Sequence, residues 1–230
     1  YIPEDFEWPE AKVFFEQTLS GKVINEWIIS NSTLLEYVHA KYFIVKICRG
    51  NMLLPWLTNN FNFQFKPIYL VRHPFAVVNS QLKQGGWDQV VNKFKIPETP
   101  FNDNFLIHKD FLNSLESREE ILTAVWCISN NIPLSHPNNN KKWITIYYEN
   151  LLIEPSKCMS KIFNVWGIPI PEGIEKTYRQ KSRTALKEVN IENPKNQLGR
   201  WERELTRHQI KKMQNVLDYF EFKTYSRKDQ

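Results

Sequence analysis

The sequence predicts an α/β fold in which a mainly parallel central sheet is flanked by helices. Stretches with helical character alternate with short apolar runs, and each run is continuous instead of alternating between apolar and polar residues. Continuous runs are typical of parallel strands that are buried on both faces. A chain of 230 residues with 42% hydrophobic residues can form one sizeable core, so we expect a single domain over residues 1–230.

The predicted strands are the three clearest apolar runs. They span Tyr42–Ile47, Lys66–Val71 and Lys142–Tyr147. The predicted helices span residues 9–19, 32–40, 51–61, 74–83, 116–135, 155–167 and 206–220, and irregular segments span 87–104 and 182–198. Ligands of parallel sheets bind beyond the carboxyl ends of the strands, so the site is expected just after Ile47, Val71 and Ile146.

Charge and composition exclude several classes of function. A formal net charge of +5 fits either a mildly basic surface or a site for an anionic ligand. We expect no nucleic-acid partner, because the chain has no run of five basic residues and no zinc, homeodomain or RNA-binding signature. The chain has no stretch of eighteen apolar residues, so we predict no membrane span. Cys48, Cys127 and Cys158 are widely spaced, which favours reduced thiols and a cytoplasmic location.

Arg72 and Ser80 form the first candidate site. Arg72 lies at the end of a predicted strand, directly after Val71, and Ser80 lies two turns into the helix that Pro74 opens. A guanidinium group makes paired hydrogen bonds to a phosphate, and a hydroxyl adds a further donor. The pattern therefore predicts a phosphate clamp, with a buried arginine that pairs with a carboxylate as the alternative.

Three segments resemble the family of sulfotransferases that use 3′-phosphoadenosine 5′-phosphosulfate (PAPS). The segment KPIYLVRHPFAVVNSQLKQG resembles the family's 3′-phosphate-binding motif. Trp143–Leu151, followed by Pro155, is similar to the family strand that ends in Tyr-Glu-Asp-Leu. Lys195–Trp201 resembles the late Gly-x-Trp loop that leads into the last helix. Together the matches cover roughly residues 42–225.

This resemblance implies a P-loop-kinase-like fold and the transfer of a sulfuryl group from PAPS to a hydroxyl or an amine, without a metal. Arg72 and Ser80 would hold the 3′-phosphate of PAPS, and Tyr148 would lie near its adenine. The late loop would supply the remaining contacts to the donor, from Lys195, Asn196, Gly199 and Arg200. Each of these roles has an alternative. Tyr148 is then an ordinary aromatic residue of a strand, and Lys195 and Arg200 are charged loop residues exposed to solvent.

One element of the family pattern is missing from the chain. The family begins with a strand and a Ser-Gly-Thr loop that holds the 5′-phosphosulfate at a helix N-terminus. Ser20–Lys22 has a similar composition but lacks the preceding strand and the following apolar helix. Because the chain starts at Tyr1 without an initiator Met, we expect this loop upstream, where a signal or anchor is also possible. A protein without the loop would instead be a non-catalytic nucleotide-binding or scaffold module.

The catalytic base is not evident from the sequence. Residues 45–49 (VKICR) stand where many cytosolic members have Lys-Thr-His, so Lys46 is retained and the histidine is not. Lys46 is a candidate to face the transferring group, and His73 is a candidate base beside Arg72. For each histidine, a structural role is the alternative. The other candidate bases are His39, His108 and Glu149.

The acceptor is not identified by any motif. A small molecule, a glycan and a peptide all remain open, and residues 85–113 are expected to cover the site because they follow the clamp helix. A nucleotide or sugar kinase fits the same fold, but the chain has no GxxxxGK[ST] loop. The sequence therefore favours a sulfotransferase of unspecified acceptor.

Overall fold

The computed structural model describes residues 1–23, 33–83, 93–179, 197–222 and 225. These residues are mostly helical and include a small parallel sheet of two strands. The helices are α1 (Pro9–Leu19), α2 (Leu34–Val38), α3 (Leu54–Asn60), α4 (Pro74–Lys83), α5 (Asp103–Leu106), α6 (Lys109–Asn113), α7 (Arg118–Ser135), α8 (Tyr148–Ile153), α9 (Pro155–Trp166), α10 (Arg200–Glu204) and α11 (Arg207–Tyr219). The strands are β1 (Ile68–Val71) and β2 (Ile144–Tyr147), and 3₁₀ helices span Asn51–Leu53 and Ile174–Arg179.

The chain divides into two compact units, residues 2–62 and residues 63–230 together with Tyr1. In the first unit, the side chain of Trp56 on α3 is fully buried. Its indole Nε1 donates a 2.8 Å hydrogen bond to the carbonyl of Phe6, and its ring contacts those of Phe15 and Phe61. This tryptophan therefore joins α1, α3 and the N-terminal segment into one small core.

The predicted strand at Tyr42–Ile47 is wrong. Residues 42–47 form no regular structure, and the side chain of Ile44 is 96% exposed. A strand is stabilised by hydrogen bonds to a neighbouring strand, and the described sheet pairs β1 with β2 without including this segment. An apolar run alone therefore did not suffice to predict burial.

The two remaining predicted strands do pair, and they pair in parallel as expected. The register joins Ile68 to Ile144 and Val71 to Tyr147. Side chains of β2 are buried on both faces of the sheet, whereas those of β1 alternate between exposed and buried, with Leu70 exposed. The expectation of burial on both faces therefore holds for β2 and is wrong for β1. The larger central sheet stays a prediction.

Helices α4 and α11 pack against α7 in the second unit. Within this layer the hydroxyl of Tyr69 on β1 donates a hydrogen bond to Asn130 on α7. The predicted N-cap at Thr206 is confirmed, because its Oγ1 accepts a 3.2 Å hydrogen bond from the backbone of Gln209. No helix within the described ranges is long and apolar enough to cross a membrane.

Candidate functional site

Arg72 and Tyr148 lie side by side at the carboxyl end of the sheet. Arg72 follows β1, and Tyr148 is the first residue of α8, directly after β2. Because the register aligns the last residues of the two strands, the guanidinium carbon of Arg72 lies 4.9 Å from the ring centroid of Tyr148. This is cation–π geometry. The structure thus brings together two residues that the sequence assigned to one ligand, although their roles in binding stay predictions.

Gln197 extends this pair into the C-terminal part of the chain. Its Nε2 donates a 3.0 Å hydrogen bond to the hydroxyl of Tyr148. The sequence analysis did not single out Gln197, because only the tertiary structure brings it to the end of β2. Of the residues predicted around it, Lys195 and Asn196 lie outside the described residues. Gly199 is described, at the N-cap position of α10.

The carboxylate of Glu204 contacts three donors, which lie on the helices α4 and α10. Its Oε1 lies 2.5 Å from Nζ of Lys83 and 2.7 Å from Nε of Arg200, and its Oε2 accepts a 2.5 Å hydrogen bond from Asn79. Partial burial opposes ionisation, but the hydrogen bonds from Lys83, Arg200 and Asn79 outweigh it and lower the pKa of Glu204 to about 2. The carboxylate is therefore ionised at neutral pH.

These contacts tie α10 to α4 and so connect the helices of two residues that were predicted to bind the donor. Ser80 is partly buried and directly follows Asn79 on α4, and Arg200 begins α10. Arg200 is engaged with Glu204 and is thus not merely a solvated loop charge. The sequence analysis missed Asn79, Lys83 and Glu204, for which the chain offers no local signal.

His73 is held in an aromatic environment. Its side chain is 5% exposed, and its ring stacks on Trp201 with centroids 4.9 Å apart and planes at 18°. Nδ1 accepts a 3.2 Å hydrogen bond from the backbone N–H of Phe75, so the proton of the neutral ring is on Nε2. Burial, assisted by the charge of Arg72, lowers the pKa of His73 to about 4. This arrangement favours a structural role over that of a base.

Glu149, another candidate base, is engaged in positioning the backbone. Its Oε1 accepts a 2.8 Å hydrogen bond from the backbone N–H of His73, and its Oε2 accepts one of 3.3 Å from the hydroxyl of Tyr225. Burial and the Glu149 carboxylate raise the pKa of Tyr225. Glu149 therefore fixes the segment that carries Arg72 to the end of β2.

A cavity of about 460 Å³ lies beside His73. Its walls include the rings of Phe75, Trp201 and Tyr225, and the side chain of Arg207 also lines it. Glu202 lines it as well, so the cavity combines aromatic walls with one basic and one acidic side chain.

Lys46 is exposed and lies in the irregular part of the unit of residues 2–62. Its predicted catalytic role stays a prediction. Within the described ranges, no group of three or more His, Cys, Asp or Glu side chains is arranged to hold a metal ion.

No protein-family model matches the chain, and no curated protein or solved structure is significantly similar to it.

Proposed function

We propose that the chain is a PAPS-dependent sulfotransferase that transfers a sulfuryl group to a hydroxyl or amine. The observation that carries the proposal is the contact of Arg72 with Tyr148, which Gln197 joins to the late loop. Residues from three distant segments with family-like motifs thus meet at the carboxyl end of a parallel sheet, where ligands of such folds bind.

Charged residues on α4 and α10, the helices that follow Arg72 and Gly199, also support an anionic ligand. Arg72, Lys83 and Arg200 are cations, and Glu204 contacts the last two of them. Each of these arginines has a planar set of donors that fits a phosphate. A nucleotide with a 3′-phosphate is the ligand that the motifs and these charges favour.

In the proposed reaction, an acceptor oxygen or nitrogen attacks the sulfur of PAPS in line with the leaving group. A bond forms between the acceptor and sulfur, and the bond from sulfur to the 5′-phosphate oxygen breaks. Adenosine 3′,5′-bisphosphate leaves with the bonding electron pair, and the acceptor loses a proton to a base. Cations near the phosphates would stabilise the leaving group. The proposal includes a P-loop-kinase-like fold, of which β1 and β2 would be two strands.

Isothermal titration with adenosine 3′,5′-bisphosphate tests the donor site. We expect binding to the wild type and a loss of about 2–3 kcal/mol for Arg72→Ala, because a charged hydrogen bond to the phosphate is removed. Lys157→Ala is a matched control, since it also removes one positive charge from the second unit and, among the residues that the structure describes, Lys157 forms an ion pair with the exposed Glu154. If the wild type shows no binding, or if Arg72→Ala binds as tightly as the wild type, the proposal is wrong.

A non-catalytic nucleotide-binding module is the second candidate. It is favoured by the environments of the candidate bases, because His73 is buried with Nδ1 occupied and Glu149 accepts two hydrogen bonds. Incubation with PAPS carrying a ³⁵S label and a mixture of phenols, glycans and peptides separates the two candidates. Labelled product supports the enzyme. Tight nucleotide binding without transfer to any acceptor supports the module.

A further inference from the structure

The side chain of Tyr225 contacts the ends of both strands of the sheet. Its ring lies 4.9 Å, between centroids, from the ring of His73, which follows β1, and 6.0 Å from that of Tyr147, which ends β2. A third ring contact, to Trp126 on α7, has a centroid distance of 5.8 Å. The side chain is only 8% exposed. A residue that follows α11 in the chain thus packs at the carboxyl end of the sheet.

The hydroxyl of Tyr225 and the backbone of His73 bind the same carboxylate. The hydroxyl donates a 3.3 Å hydrogen bond to Oε2 of Glu149, and the N–H of His73 donates one of 2.8 Å to Oε1. Burial and the charge of Glu149 raise the pKa of Tyr225, so the hydroxyl keeps its proton and remains a donor at neutral pH. Because each carboxylate oxygen accepts a hydrogen bond, the Glu149 side chain is restricted in its rotation.

This carboxylate is coupled through the backbone to two residues of the proposed nucleotide site. Glu149 directly follows Tyr148, and the N–H of His73 belongs to the planar peptide unit that joins His73 to Arg72. The hydrogen bond to Glu149 therefore fixes the peptide unit that adjoins Arg72. The guanidinium carbon of Arg72 lies 4.9 Å from the ring centroid of Tyr148, and a rotation of this peptide unit would change that contact.

We infer that Tyr225 is a positioning residue of the nucleotide site. Its hydroxyl holds Glu149 in the orientation that keeps Arg72 against Tyr148, whereas its ring contributes packing. This inference rests on the proposed function, because affinity for the nucleotide is the property that the hydroxyl would support. The contrary interpretation is that the whole side chain of Tyr225 only fills space between the strand ends and α7.

Tyr225→Phe tests the inference, since it removes the hydroxyl and keeps the ring. We expect about fivefold weaker binding of adenosine 3′,5′-bisphosphate in titration calorimetry, because Oε2 of Glu149 loses its donor and Arg72 is held less firmly. Tyr69→Phe is the matched control, because Tyr69 is also 8% exposed and its hydroxyl donates to Asn130 on α7. The control should lower the free energy of unfolding in urea and change the affinity by less than about twofold.

A double-mutant cycle shows whether the hydroxyl acts through Glu149. In a Glu149→Ala background, Tyr225→Phe should change the affinity by less than about twofold, because the acceptor of the hydroxyl is already absent. A loss as large in this background as in the wild type would contradict the inference. Equal losses of affinity in Tyr225→Phe and Tyr69→Phe would also contradict it, because they would indicate a general effect on the fold.

Arg72→Ala separates the inference from the proposed function. If the wild type binds the bisphosphate and Arg72→Ala binds it more weakly, while Tyr225→Phe binds it as tightly as the wild type, the inference is wrong and the proposed function stands. If the wild type does not bind the bisphosphate, the proposed function fails and the inference fails with it.

Discussion

Two neighbouring residues at the end of β1 belong to different environments. Arg72 contacts Tyr148 and belongs to a polar cluster that includes Gln197. His73 belongs to an aromatic cluster with Trp201, Phe75 and Tyr225. Under the proposed function the polar cluster would bind the nucleotide, whereas the aromatic cluster holds the segment in place. Substitutions in the two clusters should therefore affect different measurements.

Trp201→Ala should produce the largest loss of stability. Trp201 is buried against His73 and Phe75, and truncation of a buried tryptophan costs about 3–5 kcal/mol. The free energy of unfolding in urea measures this loss. Trp201→Phe, which keeps a ring, should lose less than half as much. If Trp201→Ala is as stable as the wild type, the aromatic cluster does not stabilise the fold.

The stability of the protein should fall as the pH decreases from about 6.5 to about 4 because of His73. The pKa of His73 is lowered in the folded protein, so the unfolded chain binds the proton first within this interval. Above pH 6.5 His73 causes no loss, and by pH 4 the free energy of unfolding has fallen by about 3 kcal/mol. Urea unfolding at several pH values measures it.

His73→Asn provides the control for this pH dependence, because its side-chain oxygen can replace Nδ1 as the acceptor for the backbone of Phe75. The carboxylates that titrate in the same interval are present in both proteins. The difference between their free energies of unfolding at each pH therefore reports on the histidine. Equal pH profiles for the two proteins would contradict a buried neutral imidazole.

Glu149→Ala should have an intermediate effect and should affect both clusters. The substitution leaves the backbone N–H of His73 and the hydroxyl of Tyr225 without their acceptor, at a cost of about 1–2 kcal/mol. Because the N–H of His73 adjoins Arg72, affinity for adenosine 3′,5′-bisphosphate should also fall. Urea unfolding and titration calorimetry measure the two effects. If the variant loses stability but keeps its affinity for adenosine 3′,5′-bisphosphate, Glu149 does not support the polar cluster.

Glu204→Gln should have the smallest effect on stability, about 1 kcal/mol, because the cations that it pairs with are half exposed. The folded pKa of Glu204 is lowered to about 2, so its contribution is present above pH 4.5 and is lost as the pH falls toward 2. Hydrogen exchange should quicken locally in α10. Unchanged exchange at residues 200–204 would show that other contacts hold this helix.

The local parts of the fold could be predicted from the sequence. The helix that begins at Pro9 and the N-cap at Thr206 depend on residues within one turn, and both were predicted correctly. The strand predicted at residues 42–47 failed because strand formation depends on a partner that a local pattern does not specify.

The candidate site was predictable only at its centre. Arg72 and Tyr148 each follow an apolar run, so the rule for parallel sheets placed both at one edge. Gln197 and Glu204 were missed because their contacts join residues that lie 49 and 125 positions apart. Such contacts depend on how the helices pack, and no spacing within the chain indicates them.

The parallel pairing of β1 with β2 has a consequence for folding. Arg72 and Tyr148 directly follow two strands that are separated by a crossover including α4 and α7, so their contact forms only when this distant pairing is complete. A ligand that requires both residues would bind the folded chain alone and would stabilise it by mass action. The concentration of the nucleotide would then influence how much of this protein survives unfolding and proteolysis in a cell.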